Sequence, residues 1–242
     1  MSTIKVALVC VAKSEDYYLE EWLDYNHKLG FDKIIMYQND WTTDIERPFL
    51  EKREWNGKYV QLPIYNNFLE NNTEYDWVAF IDCDEFIVLK KHNNIKDLIN
   101  DYKDRTKVIG LNWVIYGSWG MRNRTSNSLL RMFPNRNKNT DQHIKVIVNG
   151  KSDNMMVLPH NTNNTSMDTN GNRFTGPFNP NGPMDVAYIA HYHSKTKEDW
   201  MLRCERGRVD CNIQHDPNQW DLDVNNDIDI VDLSAYNFMY ED

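Results

Sequence analysis

Apolar and polar positions fall into blocks whose period changes along the chain. Ile4 to Ala12 is β-branched and apolar with little alternation, the pattern of a strand buried on both faces. From Asp16 to Leu29 apolar residues recur at Leu19, Trp22, Leu23 and Leu29, a helical spacing that Gly30 stops. Lys33 to Tyr37 returns to strand, so the chain opens with a βαβ unit and the sheet begins parallel. Tyr59 to Pro63 predicts a short strand and Trp77 to Ile81 a strongly apolar one. Ile95 to Tyr102 predicts a helix. Val108 to Tyr116 predicts a strand running into Gly117-Ser118-Trp119-Gly120. Residues 134–143 and 159–184 are rich in Asn, Pro, Gly and Thr, and read as long loops of the kind that form lids or binding surfaces. Val186 to His193 is a predicted strand and Lys197 to Arg208 a predicted helix. The fold class is therefore α/β, with a mixed, mostly parallel sheet flanked by helices.

With 242 residues, 40% of them apolar and 12% aromatic, the chain can bury a sizeable core, and wholesale disorder is excluded. The longest N-terminal apolar run, Val6 to Ala12, is seven residues, far short of a membrane span, and no cleavable signal peptide is expected. The net charge of −9 is unevenly placed: nine acids and no Lys or Arg follow Arg208, while the first 208 residues carry 27 of each sign. We read residues 1–212 as one domain and 213–242 as an acidic tail. A neutral body argues against a nucleic-acid partner. Cys10, Cys83, Cys204 and Cys211 form no CxxC pair, which predicts reduced thiols and a cytoplasmic location.

The most informative stretch is Trp77-Val78-Ala79-Phe80-Ile81-Asp82-Cys83-Asp84-Glu85-Phe86. In an extended chain the carboxylates of Asp82 and Asp84 point to one face. Open α/β sheets bind ligands beyond the carboxyl ends of their strands, and two hard oxygen ligands there suit Mg²⁺ or Mn²⁺ shared with substrate phosphates. Two chemistries fit a strand ending in DxD. One is glycosyl transfer from a nucleotide-sugar. The other is haloacid-dehalogenase-type phosphoryl transfer, with Asp82 as nucleophile and Asp84 as acid/base. The second needs a small or β-branched residue where Phe86 stands, and a DxD on the first strand. A non-catalytic sugar-binding protein is a further alternative, given eight Trp.

The order and spacing of several short motifs resemble GT-A-fold glycosyltransferases of the family 92 type and their family-2-like relatives. These are Ala12-Lys13-Ser14-Glu15 with Glu20-Glu21-Trp22-Leu23-Asp24-Tyr25, then Gly30-Phe31-Asp32, Tyr37-Gln38-Asn39-Asp40 and Asp82-Cys83-Asp84-Glu85-Phe86. Trp113 with Gly117-Ser118-Trp119-Gly120, Arg131-Met132-Phe133, His191-Tyr192-His193-Ser194-Lys195-Thr196 and Arg206-Gly207-Arg208-Val209-Asp210 complete the set. Ser14, Gln38 and Thr196 depart from the family's Asn, acid and Ser.

The resemblance implies a metal-dependent transferase that takes a nucleotide-sugar, with UDP as the expected nucleotide, and a glycan or other hydroxyl acceptor. It implies a nucleotide pocket built from Ala12, Lys13, Glu15, Asn39 and Asp40. Asp82, Asp84 and His191 become ligands of Mn²⁺ (or Mg²⁺), with Asp82 reaching metal or ribose and Lys195 pairing with phosphate. For inversion, Asp210 and Asp141, the latter beside His143, are the candidate bases, and His160 is placed on the acceptor side. Finally, residues 221–232 resemble a twelve-residue calcium loop, with Asn226 in place of the turn Gly and Asp232 in place of the last Glu. The competing reading is a tail that packs Trp220, Ile228, Ile230 and Leu233 on the body and leaves its carboxylates in water.

Overall fold

The computed structural model describes residues 4–223 and 230–241. Its elements, in chain order, begin with β1 (Val6–Ala12), α1 (Asp16–Lys28), β2 (Lys33–Gln38), β3 (Leu50–Glu54), α2 (Gln61–Asn71), β4 (Trp77–Phe80), β5 (Glu85–Leu89) and α3 (Ile95–Tyr102). There follow β6 (Val108–Ile115), α4 (Leu129–Met132), β7 (Asn135–Arg136), β8 (Ile144–Asn149), β9 (Met156–Leu158), β10 (Asn161–Thr162), β11 (Ser166–Met167) and β12 (Arg173–Phe174). Last come β13 (Ala187–His191), α5 (Lys197–Arg206), α6 (Gln219–Asp223), β14 (Ile230–Val231) and α7 (Ser234–Tyr240).

The main sheet runs β12-β11-β6-β8-β4-β1-β2-β3, with β13 pairing both β6 and β5. The block β4-β1-β2-β3 is parallel, as the opening βαβ unit requires. Beyond it, β8 lies antiparallel to both β4 and β6, and β13 antiparallel to β5. The sheet is therefore mixed rather than mostly parallel. The reversal comes from β8 (Ile144–Asn149), which lies between β4 and β6 and runs antiparallel to both; a short apolar run like this is not separable from a buried helical segment by period alone.

All of β1 is buried because both faces of the sheet are covered. Leu8, Cys10 and Ala12 join the core under α1 and α3, while Ala7, Val9 and Val11 join the core under α2. Helix α1 is tied to β5 by two buried hydrogen bonds: Trp22 Nε1 donates to the Glu85 carbonyl and Tyr25 Oη to that of Ile87, both at 2.8 Å. The predicted strand at Tyr59 to Pro63 is instead the entry to helix α2. Pro63 sits in its first turn, where a missing N–H is tolerated, and Ile64, Tyr65 and Phe68 form its buried face. Helix α5 opens on a capping box: the Thr196 hydroxyl accepts the Asp199 N–H at 3.1 Å while the Asp199 carboxylate accepts the Thr196 N–H at 3.1 Å. A threonine in the family's serine position keeps that hydroxyl.

The acidic tail packs on the body. Trp220 is buried and its Nε1 donates to the Lys195 carbonyl at 3.1 Å. β14 pairs with β7. Asp232, expected in water or on calcium, instead accepts Arg136 Nε at 2.7 Å and Tyr188 Oη at 3.1 Å. Leu233 is 43% exposed rather than packed. The heart of the calcium-like loop, residues 224–229 with Asn226 and Ile228, lies outside the described residues. No helix among the described residues is long and apolar enough to cross a membrane, and all four cysteines are free thiols.

Candidate active site

The cleft lies at the carboxyl edge of the parallel block, where β1, β2 and β4 all end. It encloses about 330 Å³ and is lined by Lys13 and Glu15 just beyond β1, by Asp82 and Asp84 just beyond β4, and by Trp113 of β6. His143 and His160, His191 and His193, and Arg203, Arg206, Arg208 and Asp210 close its other sides.

Asp82 and Asp84 do not sit on an extended strand. β4 ends at Phe80, and the two acids occupy a tight turn in which the Glu85 N–H donates to the Asp82 carbonyl at 3.1 Å. Glu85 closes the turn from the other direction, its Oε2 accepting the Asp82 N–H at 2.9 Å. Glu85 is wholly buried, and that burial pushes its carboxyl well above the ordinary value. It is a structural acid. The turn gives the two aspartates separate partners. Asp82 Oδ1 accepts Gln61 Nε2 and its Oδ2 accepts Lys145 Nζ, both at 2.7 Å. Asp84 faces His191, Lys195 and Arg203 at 3.7, 3.5 and 3.4 Å.

Register explains the second group. His191 pairs with Glu85 across β13 and β5, one residue beyond Asp84, and the Tyr192 N–H donates to the Asp84 carbonyl at 2.9 Å. Burial alone would raise the Asp84 carboxyl, but Lys195 and Arg203 outweigh it and hold the group well below the carboxylate range. Burial drives His191 far below the usual imidazole value despite Asp84, so its ring is neutral. His191 Nδ1 is buried without a hydrogen-bond partner among the described residues, and Nε2 stands 3.7 Å from Asp84 Oδ1, too far for a hydrogen bond. A neutral imidazole and an ionised carboxylate converging across an unbridged gap fit a divalent cation that takes its remaining ligands from substrate and water. No group of three or more His, Cys, Asp or Glu among the described residues could by itself hold a metal ion.

Cations dominate one wall. Lys195 reaches Glu15 at 3.7 Å, and Arg206 pairs with the same carboxylate. Arg203 Nη1 also donates to the His193 carbonyl at 2.8 Å. Ser14, Asp40 and Lys195, each just beyond a strand of this edge, hold positive φ angles of 53°, 48° and 49°. Such backbone is costly for non-glycine residues and clusters at sites of function.

Of the residues expected at the donor, Lys13, Glu15 and Asp82 line the cleft; Ala12, Asn39, Asp40 and Lys195 do not, and Lys195 lines the adjoining cleft with Ser14 and Tyr18. Asn39 is fully buried and donates to the Trp55 and Gly57 carbonyls at 2.9 Å, holding the loop after β3. Asp40 faces Lys13 at 3.8 Å from an exposed position. Asp210 lines the cleft but is clamped by Arg208 through two hydrogen bonds of 2.8 and 2.5 Å, which outweigh burial and lower its pKa. Asp141 lies behind His143, its Oδ1 2.6 Å from His143 Nδ1. His160 also lines the cleft, with Nδ1 donating to the Ile144 carbonyl at 3.0 Å and burial bringing its pKa down to about 4.

Residues 5–227 match the family described as glycosyltransferase family 92. The chain belongs to that family. It is a glycosyltransferase, and the phosphohydrolase and non-catalytic alternatives are set aside. A solved structure similar to part of this family 92 chain is HddC from Yersinia pseudotuberculosis, at 12% identity over 60% of this chain and 73% of that one, with a TM-score of 0.33. None of the curated proteins compared with the chain matches it.

Proposed function

We propose that this family 92 enzyme has a GT-A-type site and transfers a sugar, with inversion, from a UDP-sugar to a carbohydrate hydroxyl with the help of Mn²⁺ (or Mg²⁺). The observation that carries the reading is the unbridged Asp84–His191 pair beside Lys195, Arg203 and Arg206. Asp84 and His191 would hold the cation, which when bound neutralises charge developing on the diphosphate leaving group. Asp82, occupied by Lys145 and Gln61, supports the turn that aims Asp84.

The protein's own groups do the rest. Arg203 and Lys195 hold Asp84 ionised, and both can turn part of their charge toward a diphosphate entering beside it. Lys13 and Arg206 extend that positive wall toward the end of β1, where the nucleoside binds in this reading. A thermal-shift titration of UDP, other nucleoside diphosphates and UDP-sugars, with and without Mn²⁺, tests the proposal. At a hundredfold excess over Kd, ligand stabilises by about 2.7 kcal/mol. A UDP shift present only with Mn²⁺ is expected; an equal shift without metal removes the cation from the reading.

A further inference from the structure

Asp141 Oδ1 accepts two hydrogen bonds from the same residue: the His143 N–H at 2.8 Å and the His143 Nδ1–H at 2.6 Å. The Asp141 backbone is held on both sides. Its N–H donates to the Trp113 carbonyl at 2.8 Å, and its main-chain carbonyl accepts Asn112 Nδ2 at 2.9 Å. With Nδ1 holding a proton for Asp141, Nε2 carries the lone pair. The His143 ring lines the cleft, stacked on Trp113 at 4.8 Å and 24°. The same indole lies 4.2 Å from His191. One aromatic ring therefore separates the Asp84–His191 pair from an imidazole oriented by a carboxylate.

From this geometry we propose that His143 is the general base of the transfer and Asp141 its positioning residue; the proposal rests on the UDP-sugar reading above. In the step, His143 Nε2 takes the proton of the acceptor hydroxyl. The acceptor oxygen's electron pair forms the new bond to the anomeric carbon, and the bond from that carbon to the diphosphate breaks, its pair leaving with the diphosphate. Asp141 stabilises the imidazolium, as an ionised partner on Nδ1 does. The His143 and Asp141 side chains are 36% and 37% exposed, so an acceptor can reach the ring and the proton can pass to water. The other candidates are less suited. Arg208 clamps Asp210 and lowers its pKa, and burial draws His160 down to about 4, so both are weaker bases near neutral pH.

The test compares wild type with His143→Asn, His143→Gly and Asp141→Asn in transfer kinetics and in Mn²⁺-dependent protection by UDP. His143→Asn is expected to lower kcat by about 10²–10⁴-fold while donor KM and UDP protection stay unchanged. Asp141→Asn should lower kcat in the same sense with donor KM unchanged, and added imidazole should restore part of the His143→Gly rate. Near-normal kcat in His143→Asn overturns the assignment. So does a loss of kcat that travels with loss of UDP protection, since that marks a structural role. A wild type that transfers from no nucleotide-sugar overturns the donor reading instead, whatever the variants do.

Discussion

Lys145, with 1% of its side chain exposed, sets its ammonium 2.7 Å from Asp82 and 3.5 Å from the buried Glu85. Burial opposes charge on this lysine, but the two carboxylates overcome it and raise its pKa. The turn that presents Asp84 is thus built around a buried cation supplied by the neighbouring strand β8.

Removing that cation should cost stability. Lys145→Met leaves the Asp82 carboxylate without its charge partner, and breaking a buried pair from one side costs about 3–5 kcal/mol. Urea unfolding followed by circular dichroism measures it. A variant as stable as wild type would mean that the pair contributes nothing net.

Asp84→Ala should act differently. The residue lies in a turn, and its loss takes a ligand from the proposed cation while leaving the buried Lys145 pairings in place. Transfer should fall at least about a hundredfold with a weakened response to Mn²⁺, and the melting curve should fall as well, because Lys195 and Arg203 lose a buried carboxylate. Steady-state kinetics across a Mn²⁺ titration decides it; unchanged activity and metal response would exclude Asp84 as a ligand.

The tail gives a pH-dependent prediction. Burial alone would raise the Asp232 carboxyl, but hydrogen bonds from Ser234 and Arg136 bring it down to about 2. An unfolded aspartate titrates near 3.9. The folded value is the lower one, so the stabilisation is complete above about pH 4 and lost as pH falls through 2. It amounts to roughly 2 kcal/mol. Asp232→Asn should be less stable than wild type at pH 6, with the difference shrinking between pH 4 and 2. Paired urea titrations at those pH values check it, and a constant difference would detach Asp232 from the effect.

How much of this was legible in sequence depended on where each signal resides. β1, α1, β2, β4, α3 and β6 carry strong periods and stand close to where those periods put them. Tyr59 to Pro63 taken alone has the composition of a strand, while Ile64, Tyr65 and Phe68 beyond it carry the helical spacing of α2. The DxD pair is plain in the sequence, but the turn that carries it between β4 and β5 is not, because a long-range network with Gln61 and Lys145 stabilises it. Lys145 left a trace, a lone charge inside Ile144-Lys145-Val146-Ile147-Val148, which is unusual unless paired. Arg203 had none: a helical arginine looks solvated until β13 places Asp84 beside it. Asn39 shows the opposite limit, since motif resemblance put it at the nucleotide while its amide holds the loop after β3.

The last prediction joins the long loop 159–184 to the site. A Cβ built on Gly182 would lie 1.9 Å from Asn112 Oδ1 and 2.6 Å from Asn179 Nδ2. Neither atom can yield freely. Asn112 Oδ1 accepts Asn179 Nδ2 at 3.0 Å, and Asn112 Nδ2 donates to the Asn179 and Asp141 carbonyls at 2.8 and 2.9 Å. The Gly182 carbonyl is also held, by Thr140 Oγ1 at 2.9 Å. Gly182→Ala must therefore displace Asn112, which carries the backbone of Asp141, the residue that orients His143. Overpacking of this kind costs about 1–3 kcal/mol. Alongside that loss, kcat should fall while donor KM and UDP protection stay near wild type, because Asp84, His191, Lys195 and Arg203 lie outside this hydrogen-bond cluster. Melting curves and steady-state kinetics on the same preparation test both halves. A variant that loses stability but keeps full kcat would show that the loop's grip on Asn112 does not reach Asp141.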